Sequence, residues 1–581
     1  MLSAEQMQIA NAVMTRSGNN LAVALPGSGK STTCIAAIVD LLKADRKARP
    51  WMVTFTKAAA VSISSKLKLL LSKKDFDRVG VSTFHAIIGE QYRQLPNAKK
   101  LLLGPKQNIT ITNSMMDDGF FGDFQEAKQT IDRETRNLVL SSLSSITRAY
   151  MSRCERQNDT DYNIACREVV LGLRADKVRR LNVTHMIVDE FQDTDEVQLA
   201  WLWEHAAHGI KVTAVGDDDQ SIYSFRGGLG FKIMSMYTEQ FAAQTYYLST
   251  CYRCGTMILK AAGRTISANT GRIAKAMNAA AKHPGQISIV TAPDSEISFQ
   301  AVSNSIMKHE GSWAVLSRNG LYLDVMELKL REENITCKRI GGQSIWDQSA
   351  ADSMLRLFKM ALHGRTDQNS HYALSYMFQM DHDEVDAFTD IGRLSLAEAT
   401  LNLQPGLIKN ALLMVLAAHG DTDDLAKMNK YCRDIKDTLK KLPFEKGDFK
   451  TCETVIGFVL AATGSWHTRL HYFVDKLDAI KQKTELTLEP TVVTLATLHG
   501  AKGLEWDNVA IIGCNDGVLP SNKSDTPETI EEERRLMYVG MTRAIHRLEL
   551  HSHAKPCIYL NELVLDQALT ITQIALKPGD V

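Results

Sequence analysis

Leu21-Ala22-Val23-Ala24-Leu25-Pro26-Gly27-Ser28-Gly29-Lys30-Ser31 is the stretch on which the reading of the fold turns. Five apolar residues form a strand too uniform to have a wet face. A loop of small residues follows, and from Lys30 the pattern is helical. Such a strand–loop–helix unit gathers backbone N–H groups and the positive end of a helix at one point, which suits a chain of phosphates. Pro26, Gly27, Ser28 and Gly29 supply the wrapping backbone. Lys30 would reach the β- and γ-phosphates, and Ser31 would hold Mg²⁺. Ala24 stands where the general pattern has its first glycine.

Outward from this loop, similar apolar runs recur, each followed by a loop and a helical pattern. Leu21–Leu25, Trp51–Thr56, His185–Val188 and Val212–Gly216 make one set. Ile287–Val290, Trp313–Ser317, Val492–Leu495 and Val509–Ile512 make a second. Continuous Val/Ile/Leu strands predict parallel sheets covered by helices on both faces, so the fold class is α/β with two such domains. From Phe84 to about residue 180, and again from about 345 to about 486, the pattern turns helical and polar. These stretches read as two largely helical insertions.

Two further signals sit at strand ends. In Ile187-Val188-Asp189-Glu190-Phe191-Gln192-Asp193, Asp189 can position Mg²⁺ and Glu190 can polarise the water that attacks a γ-phosphate. In Gly216-Asp217-Asp218-Asp219-Gln220-Ser221-Ile222-Tyr223-Ser224-Phe225-Arg226-Gly227, three acids would repel phosphate, so Gln220 is the group suited to touch a nucleotide. Tyr223, Phe225 and Arg226 have the make-up of a base-stacking platform with a phosphate clamp.

Composition limits the partners. The 581 residues carry 67 Lys+Arg against 67 Asp+Glu, so a nucleic-acid site must be a local groove rather than a general basic surface. Ten cysteines have no framework, and Cys251-x-x-Cys254 lacks the second pair that a zinc site needs. His551, His553 and Cys557 read as surface and core residues rather than ligands. The cysteine usage suits a reducing compartment. No signal peptide or bilayer-spanning run is visible, so a cytoplasmic location with no membrane partner is expected.

The ordered series of motifs resembles the UvrD/Rep/PcrA family of superfamily 1 helicases from Leu2 to Ala544. Leu2-Ser3-Ala4-Glu5-Gln6 is similar to its Q motif, and the phosphate loop to motif I. Thr54-Phe55-Thr56 and Thr83-Phe84-His85 are similar to motifs Ia and Ib, Asp189–Thr194 to motif II and Gly216–Gly227 to motif III. Leu248–Cys254, Thr497–Trp506 and Glu531–Ala544 are similar to motifs IV, V and VI. The resemblance implies two RecA-like P-loop domains, ATP with Mg²⁺ as cofactor, and single-stranded and duplex DNA as partners. It implies that Gln6 reads adenine, that Tyr252 stacks on it and that Glu505 binds the ribose. Arg253 and Arg543 would reach the γ-phosphate, completing a catalytic set with Lys30, Asp189, Glu190 and Gln220. Phe55, Thr83, His85, Tyr223, Phe225, Arg226, Thr497 and His499 would contact DNA.

In that scheme residues 1–85 and 181–247 form the first RecA-like domain, with 86–180 as its insertion. Residues 248–344 and 487–581 form the second, with 345–486 as a shortened insertion. The chain ends soon after motif VI, which leaves no room for a fused nuclease. It departs from the family at Thr32, where an arginine usually packs on adenine; Arg16 or Lys275 could fill the gap. Lys57-Ala58 stand for Asn-Lys in motif Ia, and Cys251 and Cys254 for Asn and Ser in motif IV. Two functions fit. The first is a 3′–5′ helicase translocating on single-stranded DNA and unwinding duplex. The second is a DNA-stimulated ATPase that regulates a nuclease or repair partner and unwinds little alone.

Overall fold

A computed structural model describes residues 2–580 apart from 16–17, 103, 123, 141–142, 224–227, 342–343, 366–372, 378–394, most of 402–418, 441–445, 484–491, 523, 554, 567 and 578. The chain divides into two compact units. Unit 1 comprises Met1–Ile287, Leu519–Leu548 and Cys557–Thr572; unit 2 comprises Ser288–Val518, Glu549–Pro556 and Gln573–Val581.

Unit 1 is built on a six-stranded sheet in the spatial order Gly80–Thr83, Pro50–Thr54, His185–Val188, Lys211–Gly216, Asn20–Ala24, Gln244–Leu248. All five pairings are parallel, with Leu21 opposite Ala214 and Met52 opposite Ile187. Successive side chains of a strand point to opposite faces. Leu21, Val23, Val53 and Val188 therefore pack on one side against Phe191, Trp201 and Tyr237. Ala22, Ala24, Met52 and Ile187 pack on the other against Ile35, Ile38 and Leu41 of the helix Lys30–Ala44. Within residues 86–180 the helices Pro105–Asp118, Phe124–Thr135 and Ser145–Arg156 pack around Ile111, Ile131, Ile146 and Tyr150.

The late stretch of the chain also packs into unit 1. Its helix Pro527–Met541 lies against Thr256–Ile266, where Arg534 donates to the Thr265 carbonyl at 3.3 Å and pairs with Glu562. Unit 2 holds most of a seven-stranded sheet in the order Cys337–Ile340, Val493–Thr497, Trp313–Ser317, Trp506–Ile512, Ala544–His553, Gln286–Ala292, Thr572–Ala575. Trp313, Val315, Leu495 and Ala510 form its core with Phe299 and Met326. The helices Ser349–His363, Leu425–Leu439, Lys446–Ala461 and Trp466–Lys483 enclose a separate core around Phe358, Trp466 and Phe473.

The architecture is α/β with two parallel-strand sheets, as the sequence predicts. Gly80–Thr83, Gln244–Leu248 and Cys337–Ile340 are strands absent from the apolar-run reading. Each lies at or near a sheet edge and is half wet, so each lacks the continuous apolar signature of a buried strand. Among the described residues no helix is long and apolar enough to cross a membrane.

Candidate functional site

The strand Asn20–Ala24 ends in the loop, and Gly27 (φ +65°) and Gly29 (φ +79°) take the left-handed backbone that lets N–H groups turn inward. A Cβ on Gly27 would stand 2.5 Å from the Arg253 Cβ and 3.2 Å from Cys251 Sγ, so this glycine also lets motif IV approach. Tyr252 N donates to the Gly27 carbonyl at 2.9 Å, which fixes that approach. The Ser28 hydroxyl closes the loop on the Leu25 carbonyl at 2.8 Å.

Gln6 reaches the same loop from the first helix. Its Oε1 accepts from Ser3 N at 2.9 Å in a capping box, and its Nε2 donates to the Ser28 carbonyl at 3.0 Å. A primary amide has two donors and two acceptor positions, so this geometry uses one of each and leaves one of each. Tyr252 is 47% exposed. Thr32 is exposed one turn along the neighbouring helix.

At the end of His185–Val188 the acids meet the loop. Ser31 Oγ donates to Asp189 Oδ2 at 2.9 Å, and Lys30 Nζ lies 3.4 Å from Glu190 Oε2. Burial, with the charge of Glu190 beside it, lifts the Asp189 carboxyl above its ordinary range. A hydroxyl and a carboxylate side by side are hard oxygen donors, the set that binds Mg²⁺ while leaving room for its waters. Glu190 has φ 52° and ψ 42°, a left-handed backbone on a residue that rarely takes it.

Gln192, which sequence reasoning passed over, ties two motifs together. Its Nε2 donates to Glu190 Oε2 at 2.6 Å, and its Oε1 accepts from Asp217 N at 2.9 Å. Arg543 is 1% exposed, and its Nη2 donates to Gln220 Oε1 at 2.9 Å. Burial and the neighbouring Arg253 push its guanidinium down to about 10. Arg253 Nη1 donates to the Thr542 carbonyl at 3.2 Å. Lys30, Ser31, Asp189, Glu190, Gln220, Tyr252, Arg253 and Arg543 all lie in unit 1, while Thr497, His499 and Glu505 lie in unit 2.

The three acids of motif III are not bare. Lys275 Nζ, with its side chain 1% exposed, stands 2.7 Å from Asp217, 2.5 Å from Asp218 and 3.0 Å from Asp219. Arg272 forks Asp219 at 2.9 and 2.7 Å. Lys275 is thus committed to these carboxylates, and the expectation that it fills the adenine gap at Thr32 is corrected; Arg16 lies outside the described residues. Cys251 and Cys254 are both buried, and the hydrogen bond from the Cys254 thiol pulls the Cys251 thiol down to about 6.

The expected DNA-contacting residues divide. Phe55 and Tyr223 stack with ring centroids 5.7 Å apart and planes 15° from parallel. His85 is exposed and stacks on Tyr162 at 3.7 Å. Thr83 is buried, and its hydroxyl caps the helix Phe84–Tyr92 by accepting from Ala86 N at 3.3 Å. Phe225 and Arg226 lie outside the described residues. In unit 2, Thr497 Oγ1 accepts from Gly500 N at 3.1 Å, and Glu505 is exposed. A cavity of about 300 Å³ in unit 2, lined by Phe299, Tyr322, Phe458 and Tyr472 among others, contains none of the motif residues.

Residues 2–134 and 105–241 match the UvrD/REP helicase N-terminal domain, and residues 424–555 match the UvrD-like helicase C-terminal domain. DNA helicase II of Salmonella typhimurium is 26% identical over 605 aligned residues, covering 93% of this chain and 83% of that protein. DNA helicase II of Escherichia coli has the same identity and coverage, 26% with 93% and 83%. A protein named ATP-dependent DNA helicase Rep, from Buchnera aphidicola subsp. Baizongia pistaciae, is 25% identical over 94% of this chain and 90% of its own length. With both matched domains in order, and with the loop, the acid pair and the buried arginine brought together in one unit, the chain belongs to the UvrD/Rep helicase family.

Proposed function

We propose that this chain is an ATP-dependent motor that moves 3′ to 5′ along single-stranded DNA and separates duplex strands. The observation that carries the ATPase reading is the meeting of Arg543, from near the end of the chain, with Gln220 beside the Lys30–Glu190 pair. A buried guanidinium held beside this pair is placed to stabilise charge that develops on a γ-phosphate.

In this reading Lys30 leaves Glu190 for the β- and γ-phosphates. Ser31 and Asp189 would hold Mg²⁺, which would supply positive charge against the phosphate oxygens. Glu190, released from Lys30 and oriented by Gln192, accepts the proton of the attacking water. Arg543 and Arg253 stabilise charge on the transferring group, as an arginine finger does. The unused donor and acceptor of Gln6 match the N6 and N7 positions of adenine. Phe55 and Tyr223 offer bases a stacking surface, with Thr83, His85, Thr497, His499, Phe225 and Arg226 as further contacts.

Strand displacement on duplexes with a 3′ or a 5′ single-stranded tail tests the reading. Unwinding of the 3′-tailed substrate alone is expected. ATP hydrolysis stimulated by single strands without displacement on either substrate would instead favour a regulatory ATPase acting on a nuclease or repair partner.

A further inference from the structure

Asp217, Asp218 and Asp219 are each no more than 1% exposed, a place where three unpaired carboxylates could not remain charged. One ligand oxygen from each lies within 4.8 Å of the others, close enough to hold a cation. The cation there is the Lys275 ammonium, in contact with all three. Arg272 and the Ile273 N–H, which donates to Asp218 Oδ2 at 2.7 Å, complete the cluster.

Of the three acids, Asp217 passes this order onward. Its Oδ1 meets Lys275 at 2.7 Å, and its Oδ2 accepts from Gln220 Nε2 at 2.6 Å. That bond decides which end of the Gln220 amide faces which way. With the NH₂ turned to Asp217, Oε1 is the atom presented to Arg543, whose Nη2 donates to it at 2.9 Å. Were Asp217 to swing, the amide could rotate and aim its NH₂ at the guanidinium, donor against donor.

We infer that Lys275 is a positioning residue for ATP hydrolysis, fixing Asp217 so that Gln220 presents its carbonyl oxygen to Arg543. The inference rests on the proposed reading that Gln220 and Arg543 serve hydrolysis. The bland alternative is that the ammonium only neutralises buried charge.

Steady-state ATPase measurements with single-stranded DNA on Q220A, K275M, K275M/Q220A and K275M/D218N separate the two. K275M is expected to lower kcat roughly tenfold to a hundredfold, the scale of a displaced catalytic group. KM for ATP should change less than about threefold, because the defect lies in the transition state. K275M/Q220A should be no slower than the slower single variant, since both break one chain of contacts. K275M/D218N removes one charge of each sign and leaves Asp217 without its ammonium, so it should fold yet remain slow. Normal kcat in K275M, effects that multiply with Q220A, or recovery of turnover in K275M/D218N would each overturn the inference. Normal turnover in Q220A would instead bring down the reading of Gln220 itself, and this inference with it.

Discussion

Replacing Glu190 with Gln separates the chemistry of the site from its binding. The two side chains have the same shape, and the left-handed backbone at this position costs either of them the same. An amide oxygen at position 190 can still accept from Gln192 Nε2, which now stands 2.6 Å from Glu190 Oε2, so the local frame persists. What disappears is the proton acceptor. Loss of a general base costs about 10²–10⁴ in rate, or roughly 3–5 kcal/mol of barrier. Binding should move the other way. Lys30 Nζ and Glu190 Oε2 are 3.4 Å apart, with side chains 11% and 25% exposed. At an effective dielectric of about 20 their gross attraction is about 5 kcal/mol. Most of that is offset by desolvation, leaving a net of roughly 1 kcal/mol. Removing the carboxylate frees Lys30 for phosphate, so ATP should bind up to about fivefold more tightly. Phosphate release stimulated by single-stranded DNA gives kcat, and equilibrium nucleotide binding gives Kd. Turnover within tenfold of the native protein would refute the base assignment. ATP binding weakened by more than tenfold would make Glu190 a metal ligand or a structural group instead.

Three other outcomes follow from the geometry. Arg543→Ala should slow hydrolysis by roughly 10³–10⁵ with little change in single-strand affinity; parallel ATPase and DNA-binding measurements check this, and turnover near normal would remove Arg543 from the phosphate site. Thr32→Arg should lower KM for ATP with kcat nearly constant, since a guanidinium over adenine adds about 0.5–2 kcal/mol to ground and transition states alike; identical KM values would show that another group already covers the base. His205 predicts acid sensitivity of unit 1. It is buried, its Nδ1 donates to the Trp201 carbonyl at 2.8 Å, and burial holds its imidazole down to about 4. The unfolded chain, with a histidine near 6.5, takes up the proton first as pH falls. The stability is therefore complete above about pH 6.5, is lost progressively between about 6.5 and 4, and amounts to about 3 kcal/mol at most. Urea titrations followed by tryptophan fluorescence should show His205→Gln losing less stability over that window than the native chain; equal losses would exonerate His205.

The parts of the site legible in sequence are those whose chemistry is local. The loop before Lys30 and the acids after Val188 each announce themselves within about eight residues, because a phosphate cradle and a strand-end acid pair are built from consecutive backbone. Asp217–Asp219 were legible as a problem but not as a solution. Three acids at the end of a buried strand demand cations. Yet Lys275 and Arg272 stand more than fifty residues along the chain, where no periodicity marks them. Gln192 was quoted within its motif, but its double contact depends on two strands lying side by side. The half-wet strands escaped for a related reason. Gly80–Thr83 and Cys337–Ile340 are defined by the partner they pair with rather than by their own hydrophobicity.

Five non-glycine residues described here have positive φ: Asn158, Asp176, Ala242, Asn334 and Glu190. Asn and Asp tolerate that region, whereas a glutamate is strained there. Glycine at position 190 would relieve on the order of 1 kcal/mol. Because the same change gives up the Lys30 contact and the Gln192 hydrogen bond, the relief is offset by a loss of similar size, and a laboratory selection for heat tolerance that ignored turnover would have no hold on the proposed base. Any breeding of this chain toward higher temperature needs a counter-selection for ATP consumption from its first round.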